Sequence, residues 1–248
     1  MSYIKTKGVV LKEVNVGEAD KILTIFSKNK GKISGSAKGA RRPKSTLVAG
    51  TQLFCYSDLV LFKGKDMYSI NSCDVIESFY EIRNDLVKLT YAAYINEIIL
   101  DTVQEEQPST RVLQLFLNSL YLLAKTDKAP EQIARVFEIR LMSILGYAPS
   151  VRGCINCGNE EFINFSFSFG KCGFLCKQCI KEDRYALCLS EGAARAIHFI
   201  VHSNIKNIFS FDVSENVLKE LGKVSKRYLK DRLDREYNKL DFLKTLNS

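Results

Sequence analysis

The chain has 248 residues, 46% of them apolar, a mean hydropathy of −0.08 and a formal net charge of +8. Length and apolar content suffice for two or three small cores. No run of about 18 uninterrupted apolar residues occurs, which excludes a membrane-spanning helix. The N-terminal Met1-Ser-Tyr-Ile-Lys-Thr-Lys7 lacks the apolar core of a signal peptide, so a cytoplasmic protein is expected.

Residues 3–77 read as short strands. Ile4–Leu11 and Ile22–Phe26 flank a turn at Gly17-Glu-Ala-Asp20, and Ser27-Lys-Asn-Lys-Gly31 is a hairpin signal, because Asn and Gly tolerate positive φ. Lys32–Lys38, Leu53–Phe62 and Met67–Val75 complete the set. Five strands and no convincing helix in this length predict a small β-barrel of OB type.

The charge is concentrated here. Residues 1–80 carry 13 basic and 7 acidic side chains, residues 81–150 carry 7 and 9, and residues 151–248 carry 16 and 12. Within the N-terminal part, Lys21, Lys28, Lys30, Lys32, Lys38, Arg41, Arg42 and Lys44 follow one another without a carboxylate between Asp20 and Asp58. Clustered like charges repel, and a polyanion relieves that repulsion. A phosphate backbone is the expected partner, since each contact releases counterions. Phe26, Phe54, Tyr56, Phe62 and Tyr68 lie on the neighbouring strands and could stack bases, but alternation puts about half of them in the core.

Composition changes near Phe79. Apolar residues at helical spacing predict helices over Ile82–Val103 and Val112–Ala124, and Pro130 opens a third that runs to Leu145 with Gly146 as its stop. Beyond the cysteine region, Ser190 caps a helix to Ile200. Ser214 caps a longer one whose apolar side continues through Tyr237 and Leu240. Lys219, Lys223, Lys226, Arg227, Lys230, Arg232 and Arg235 cover its other faces.

Five of the eight cysteines fall between Cys154 and Cys179. Cys154-Ile-Asn-Cys157 and Cys176-Lys-Gln-Cys179 are two CxxC turns, each able to offer two thiolates to one ion, and together they predict a structural Zn²⁺ site. Cys172 is a fifth sulfur close by, whereas Cys55, Cys73 and Cys188 read as small core residues. His198 and His202 are one helical turn apart without the glutamate of a metalloprotease motif, and no phosphate-binding or nucleophile-elbow motif occurs. No catalytic constellation is present, and a non-enzymatic protein is expected.

The fold class expected is α+β and multidomain. An N-terminal OB-type β-barrel over residues 1–79 precedes an α-helical domain over 80–248, with a four-cysteine zinc motif inserted at about 150–188.

Several motifs carry a family resemblance: Gly8-Val-Val-Leu-Lys12, Gly17-Glu-Ala-Asp-Lys-Ile-Leu-Thr24, the run from Gly31 to Ser45, and Leu61-Phe-Lys-Gly64. They continue in Phe137-Glu-Ile-Arg-Leu-Met-Ser-Ile-Leu-Gly-Tyr-Ala-Pro149 and the two CxxC units. In these the chain resembles the DNA repair protein RecO family, up to about residue 190. The resemblance implies a recombination mediator that binds single- and double-stranded DNA and anneals complementary strands. It also implies contact with the acidic C-terminal tail of the single-strand-binding protein, joint action with RecR in loading the recombinase RecA, and a bacterial, nucleoid-associated location. Cys172 departs from the family pattern, which usually shows glycine there. An RNA-binding translation or maturation factor is the alternative that the same type of barrel allows. A thiol enzyme using one CxxC pair is another, against which the pairing of the two turns argues.

Overall fold

Alternation of buried and exposed side chains builds the N-terminal strands. In β3 (Gly31–Ala37) the odd positions Gly31, Ile33, Gly35 and Ala37 face inward and Lys32, Ser34 and Ser36 outward. In the computed structural model, which describes residues 3–246, β3 joins β1 (Tyr3–Val16), β2 (Asp20–Ser27), β4 (Tyr56–Lys63) and β5 (Tyr68–Glu77). They form a closed barrel in the order β1-β2-β3-β5-β4. Five strands closed in this way are an OB-like barrel. Val10, Leu23, Ile25, Leu59, Leu61 and Ile70 fill it. Closure is thinnest where β3 meets β5, through Gly35↔Tyr68 and Ser36↔Ser69 alone. A Cβ on Gly35 would stand 3.2 Å from Ile70 Cδ1, so a small residue lets the two strands approach.

Two strand limits differ from expectation. β1 runs on to Val16 because, past a bulge at Val10/Lys12, it continues to pair with β2 up to Val16↔Asp20; hairpin pairing rather than burial carries these residues. β4 begins at Tyr56 rather than Leu53, because Phe54 takes a left-handed backbone (φ 66) that turns its ring into the interior.

The chain divides into two units, one comprising residues up to Asp127 and those from Lys239, the other Lys128–Asn238. In the first, a 3₁₀ turn at Tyr80–Asn84 leads into α1 (Leu86–Thr102). That helix starts later than its periodicity suggests because Asp85 caps it, its carboxylate accepting from the Val87 and Lys88 amides at 2.8 and 3.0 Å. The buried Asn96 of α1 donates to Leu11 O of β1 at 2.9 Å. The segment between α1 and α2 (Thr110–Lys125) lies beside β3: Lys32 N donates to Gln104 O and Glu106 N donates to Lys32 O. A short α6 (Asp241–Leu246) completes this unit.

The second unit holds α3 (Pro130–Ile144), α4 (Glu191–His202) and α5 (Glu215–Leu233). Between α3 and α4 lies a small mixed sheet of β6 (Ser150–Cys154), β7 (Ser166–Ser168), β8 (Gly173–Leu175) and β9 (Leu187–Cys188), in the order β6-β8-β7-β9. Pro130 opens α3, and Ser190 and Ser214 cap α4 and α5 through the Ala193 and Val217 amides. A fully buried Arg135–Glu138 ion pair at 2.8 Å lies on α3. The last long helix does not reach Leu240. It stops at Leu233, where Asp234 adopts φ 49, a left-handed conformation that Asp tolerates. Leu240 is buried within the first unit instead.

Candidate metal centre and nucleic-acid interface

The two CxxC turns come together. The sulfurs of Cys154, Cys157, Cys176 and Cys179 all lie within 4.8 Å of one another, and Cys157 Sγ and Cys176 Sγ are 3.6 Å apart. Local structure brings this about. Cys154 ends β6, and its carbonyl accepts from Gly158 N at 2.8 Å, with Gly158 at φ 77. Cys176 follows β8 and is closed into a turn by Cys179 N→Cys176 O at 3.0 Å. β6 and β8 pair side by side only because Gly173 is bare; a Cβ there would stand 2.4 Å from Ser150 O.

The chemistry of the four thiols fits a cation. Burial pushes Cys154 up, but hydrogen bonds from the Cys176, Cys157 and Asn156 amides outweigh it and hold the thiol down at about 6. At Cys157 the Asn159 amide pulls down, yet hydrogen sharing with Cys176 and Cys154 drives it up to about 12. Cys179 is also raised: the Asn156 amide lowers it, and burial and the neighbouring sulfurs override that. One thiolate is thus favoured and its neighbours resist a second charge, a conflict that a divalent ion removes. Sulfurs about 2.3 Å from a shared ion would stand about 3.8 Å apart, close to the observed separation. These four residues could therefore hold a metal ion. Cys172 turns away from them. Its backbone is left-handed (φ 55), a conformation glycine adopts freely, and its Sγ accepts from Arg232 Nη2 of α5 at 2.9 Å.

In the same small sheet and the loop before it, Phe162, Phe165, Phe167 and Phe174 pack edge to face or tilted at centroid distances of 5.5–6.1 Å. α5 fastens the sheet from outside. Arg227 lies 3.9 Å over Phe169, Arg232 Nη2 donates to Phe169 O at 3.0 Å, and Tyr228 stacks edge-on against Phe167. Part of the basic face of α5 is therefore structural. His198 makes a 2.9 Å hydrogen bond through Nδ1 with Val151 O and stacks on His202.

The eight N-terminal cations separate into three groups. Lys38, Arg41, Arg42 and Lys44 stand exposed on the loop after β3. Its base is tied down by Gly39 N→Asp20 Oδ1 at 2.7 Å and Arg41 N→Ala19 O at 2.9 Å. Lys28 (exposed) and Lys30 (half-buried) sit at the other end of β3, in the β2–β3 turn. Seven residues of strand put roughly 20 Å between the two ends. Lys21 and Lys32 are engaged within the protein. Lys21 is only 14% exposed and pairs with Glu13, and Lys32 Nζ donates to Leu100 O at 2.8 Å. Of the five barrel aromatics, Phe26, Phe54 and Tyr68 are buried, whereas Tyr56 and Phe62 remain half-buried on the outside, Phe62 edge-on to the exposed Tyr3 at 5.9 Å.

Residues that the charge pattern does not single out gather beside the exposed loop. Glu13, Asn15, Val48 and Gln52 join Lys21, Ala40 and Arg41 around a cleft of about 460 Å³. Asn15 and Gln52 are isolated amides in sequence, and only barrel closure brings them together.

Known proteins place the chain more narrowly. Residues 1–79 match the family described as recombination protein O N terminal, and residues 83–241 match recombination protein O C terminal. The DNA repair protein RecO of Acetivibrio thermocellus is 67% identical over 247 residues, covering 100% of this chain and 98% of the relative. The protein of the same name from Alkaliphilus metalliredigens is 36% identical, with 98% and 99% covered, and that from Symbiobacterium thermophilum is 33% identical, with 100% and 99% covered.

Proposed function

The chain belongs to the recombination protein O family, and we propose that it acts in DNA repair as a non-enzymatic recombination mediator, which binds single- and double-stranded DNA and anneals complementary strands. The observation that carries this reading is the carboxylate-free basic stretch on an OB-like barrel, with Lys38, Arg41, Arg42 and Lys44 displayed on one anchored loop. Such barrels receive oligonucleotides on the β2–β3 face and its adjoining loops. Cations at both ends of β3 suit a backbone laid along that hairpin. Neutralising two strands at once removes the repulsion that slows their pairing, and phosphate contacts carry no base information, so any complementary pair can be annealed. Nothing is cleaved or transferred.

RecR and the C-terminal tail of the single-strand-binding protein are the partners of this reading, and the four cysteines hold one Zn²⁺ as a structural ion. In its closed sulfur set the ion would fix the two turns, with no catalytic task. A groove in the second unit suits the tail: Ala196, Phe199, Phe211, Val213 and Val217 give it an apolar lining, and Arg195 stands at its edge. The deciding experiment is annealing of complementary oligonucleotides coated with single-strand-binding protein. The protein should accelerate it, and the Arg41→Glu/Arg42→Glu double variant should not. Equal rates for the two proteins would overturn the reading.

A further inference from the structure

We propose that the cleft beside the basic loop is a subsite for one unstacked nucleobase, preferring bases that carry an exocyclic amine, adenine first. The inference rests on the DNA-binding reading and adds a base-sensitive position to a surface otherwise indifferent to sequence. The cleft lies where β1, β2 and the loop after β3 meet, within the first unit. Its size, about 460 Å³, is in the range of small-molecule sites of about 300–1,000 Å³. Lys38, Arg42 and Lys44 belong to the loop at its mouth, so a strand whose phosphates follow that loop carries its bases past the opening.

Three parts of the wall, Arg41, Gln52 and the Lys21–Glu13 pair, are held before any ligand arrives. Arg41 is held by its amide on Ala19 O and by Nη1 on Gly17 O at 3.2 Å, and its remaining N–H donors stay available. Gln52 is oriented by Arg83, which donates to its Oε1 and to Leu53 O at 2.7 Å; the Gln52 amide NH₂ is left as a donor. The Lys21–Glu13 pair lines one side with its charges matched, and Ala40 and Val48 supply apolar floor. The side chain of Asn15 lines the cleft and is exposed, and it makes no hydrogen bond among the described residues, so its donor and its acceptor are open to an incoming group.

That set discriminates. Among the described residues no aromatic ring lines the cleft, so a base is held there by its edge rather than by sequence-tolerant stacking. A side-chain amide matches the amino donor and ring-nitrogen acceptor that adenine presents side by side, and a carboxylate accepts from an exocyclic amine. Thymine offers a carbonyl and a methyl group at the same edge and leaves the Asn15 acceptor unpaired.

The test compares a fluorescently labelled thymine 12-mer with the same strand carrying one central adenine, since a single adenine can slide into one subsite. The adenine strand should bind the full-length protein about fivefold more tightly. Asn15→Ala and Val48→Phe should each abolish that difference while leaving the salt dependence of binding as it is, because neither position carries charge. Asn15 is exposed, so its variant keeps the fold even if the larger phenylalanine disturbs the loop. Equal binding of the two strands by the unaltered protein would overturn the subsite and leave the phosphate track standing. So would an adenine preference that survives in Asn15→Ala. Absence of salt-dependent binding to either strand would instead remove the DNA-binding reading, and the subsite with it.

Discussion

Barrel strands of 7 to 14 residues bury Leu23, Ile25, Leu59 and Leu61 against one another, whereas the strands around the cysteines are 2 to 5 residues long. The long strands close on themselves, with α1 and the segment after it bonded to β1 and β3. The short ones have little ladder to share, and a cluster of phenylalanines and the arginines of α5 brace them instead. Two β-structures in one chain thus solve the same problem differently: where a sheet is too small to close on itself, packed rings and cross-bracing from a helix replace ladder.

Disrupting the proposed metal site should separate the two most sharply. Cys154→Ser/Cys176→Ser, or prolonged chelation, should abolish the cooperative unfolding of residues 128–238 while the barrel keeps its own transition. Metal binding and folding are coupled at structural zinc sites with apparent free energies of about 10–16 kcal/mol. Calorimetry with elemental analysis measures both, and an unchanged second transition in metal-free protein would break the comparison. Leu61→Ala works in the opposite sense. It should cost the barrel about 2–5 kcal/mol by urea denaturation and leave the metal content untouched.

A smaller effect divides the cations. With Lys21 and Lys32 engaged, six of the eight remain, so single-strand affinity should fall with salt at a log–log slope of about −4. Arg41→Glu/Arg42→Glu should reduce that slope to about −3 with no loss of thermal stability, whereas Lys32→Met should lower stability and keep the slope. Equal slopes in all three proteins would refute the track. The smallest change is expected at Cys172. Cys172→Gly relieves a left-handed side chain but gives up the Arg232 contact, for a net shift within about 1 kcal/mol and with one metal still bound. Loss of the metal would instead make Cys172 a ligand.

Much of this was legible in the order of residues wherever the cause is local. The CxxC spacing sets two thiolates on one turn, Ser190 and Ser214 cap the amides three positions on, and Pro130 can only begin a helix. The long final helix misled because Tyr237 and Leu240 keep helical spacing beyond Asp234. One left-handed residue ends the helix, and no periodicity registers it. The start of β4 was obscured in the same way by Phe54.

Sequence alone determined the number and order of the barrel strands, the helix starts marked by Ser190, Ser214 and Pro130, and the identity of the four clustered thiols, because alternation, capping and turn chemistry act over a few residues. Tertiary structure decided which charges and rings are available. Lys32 is occupied by a carbonyl 68 residues away, Lys21 by a carboxylate across a hairpin, and Phe26, Phe54 and Tyr68 are inside while Tyr56 and Phe62 are not. A side chain's freedom depends on what folding brings beside it, and those neighbours are remote along the chain.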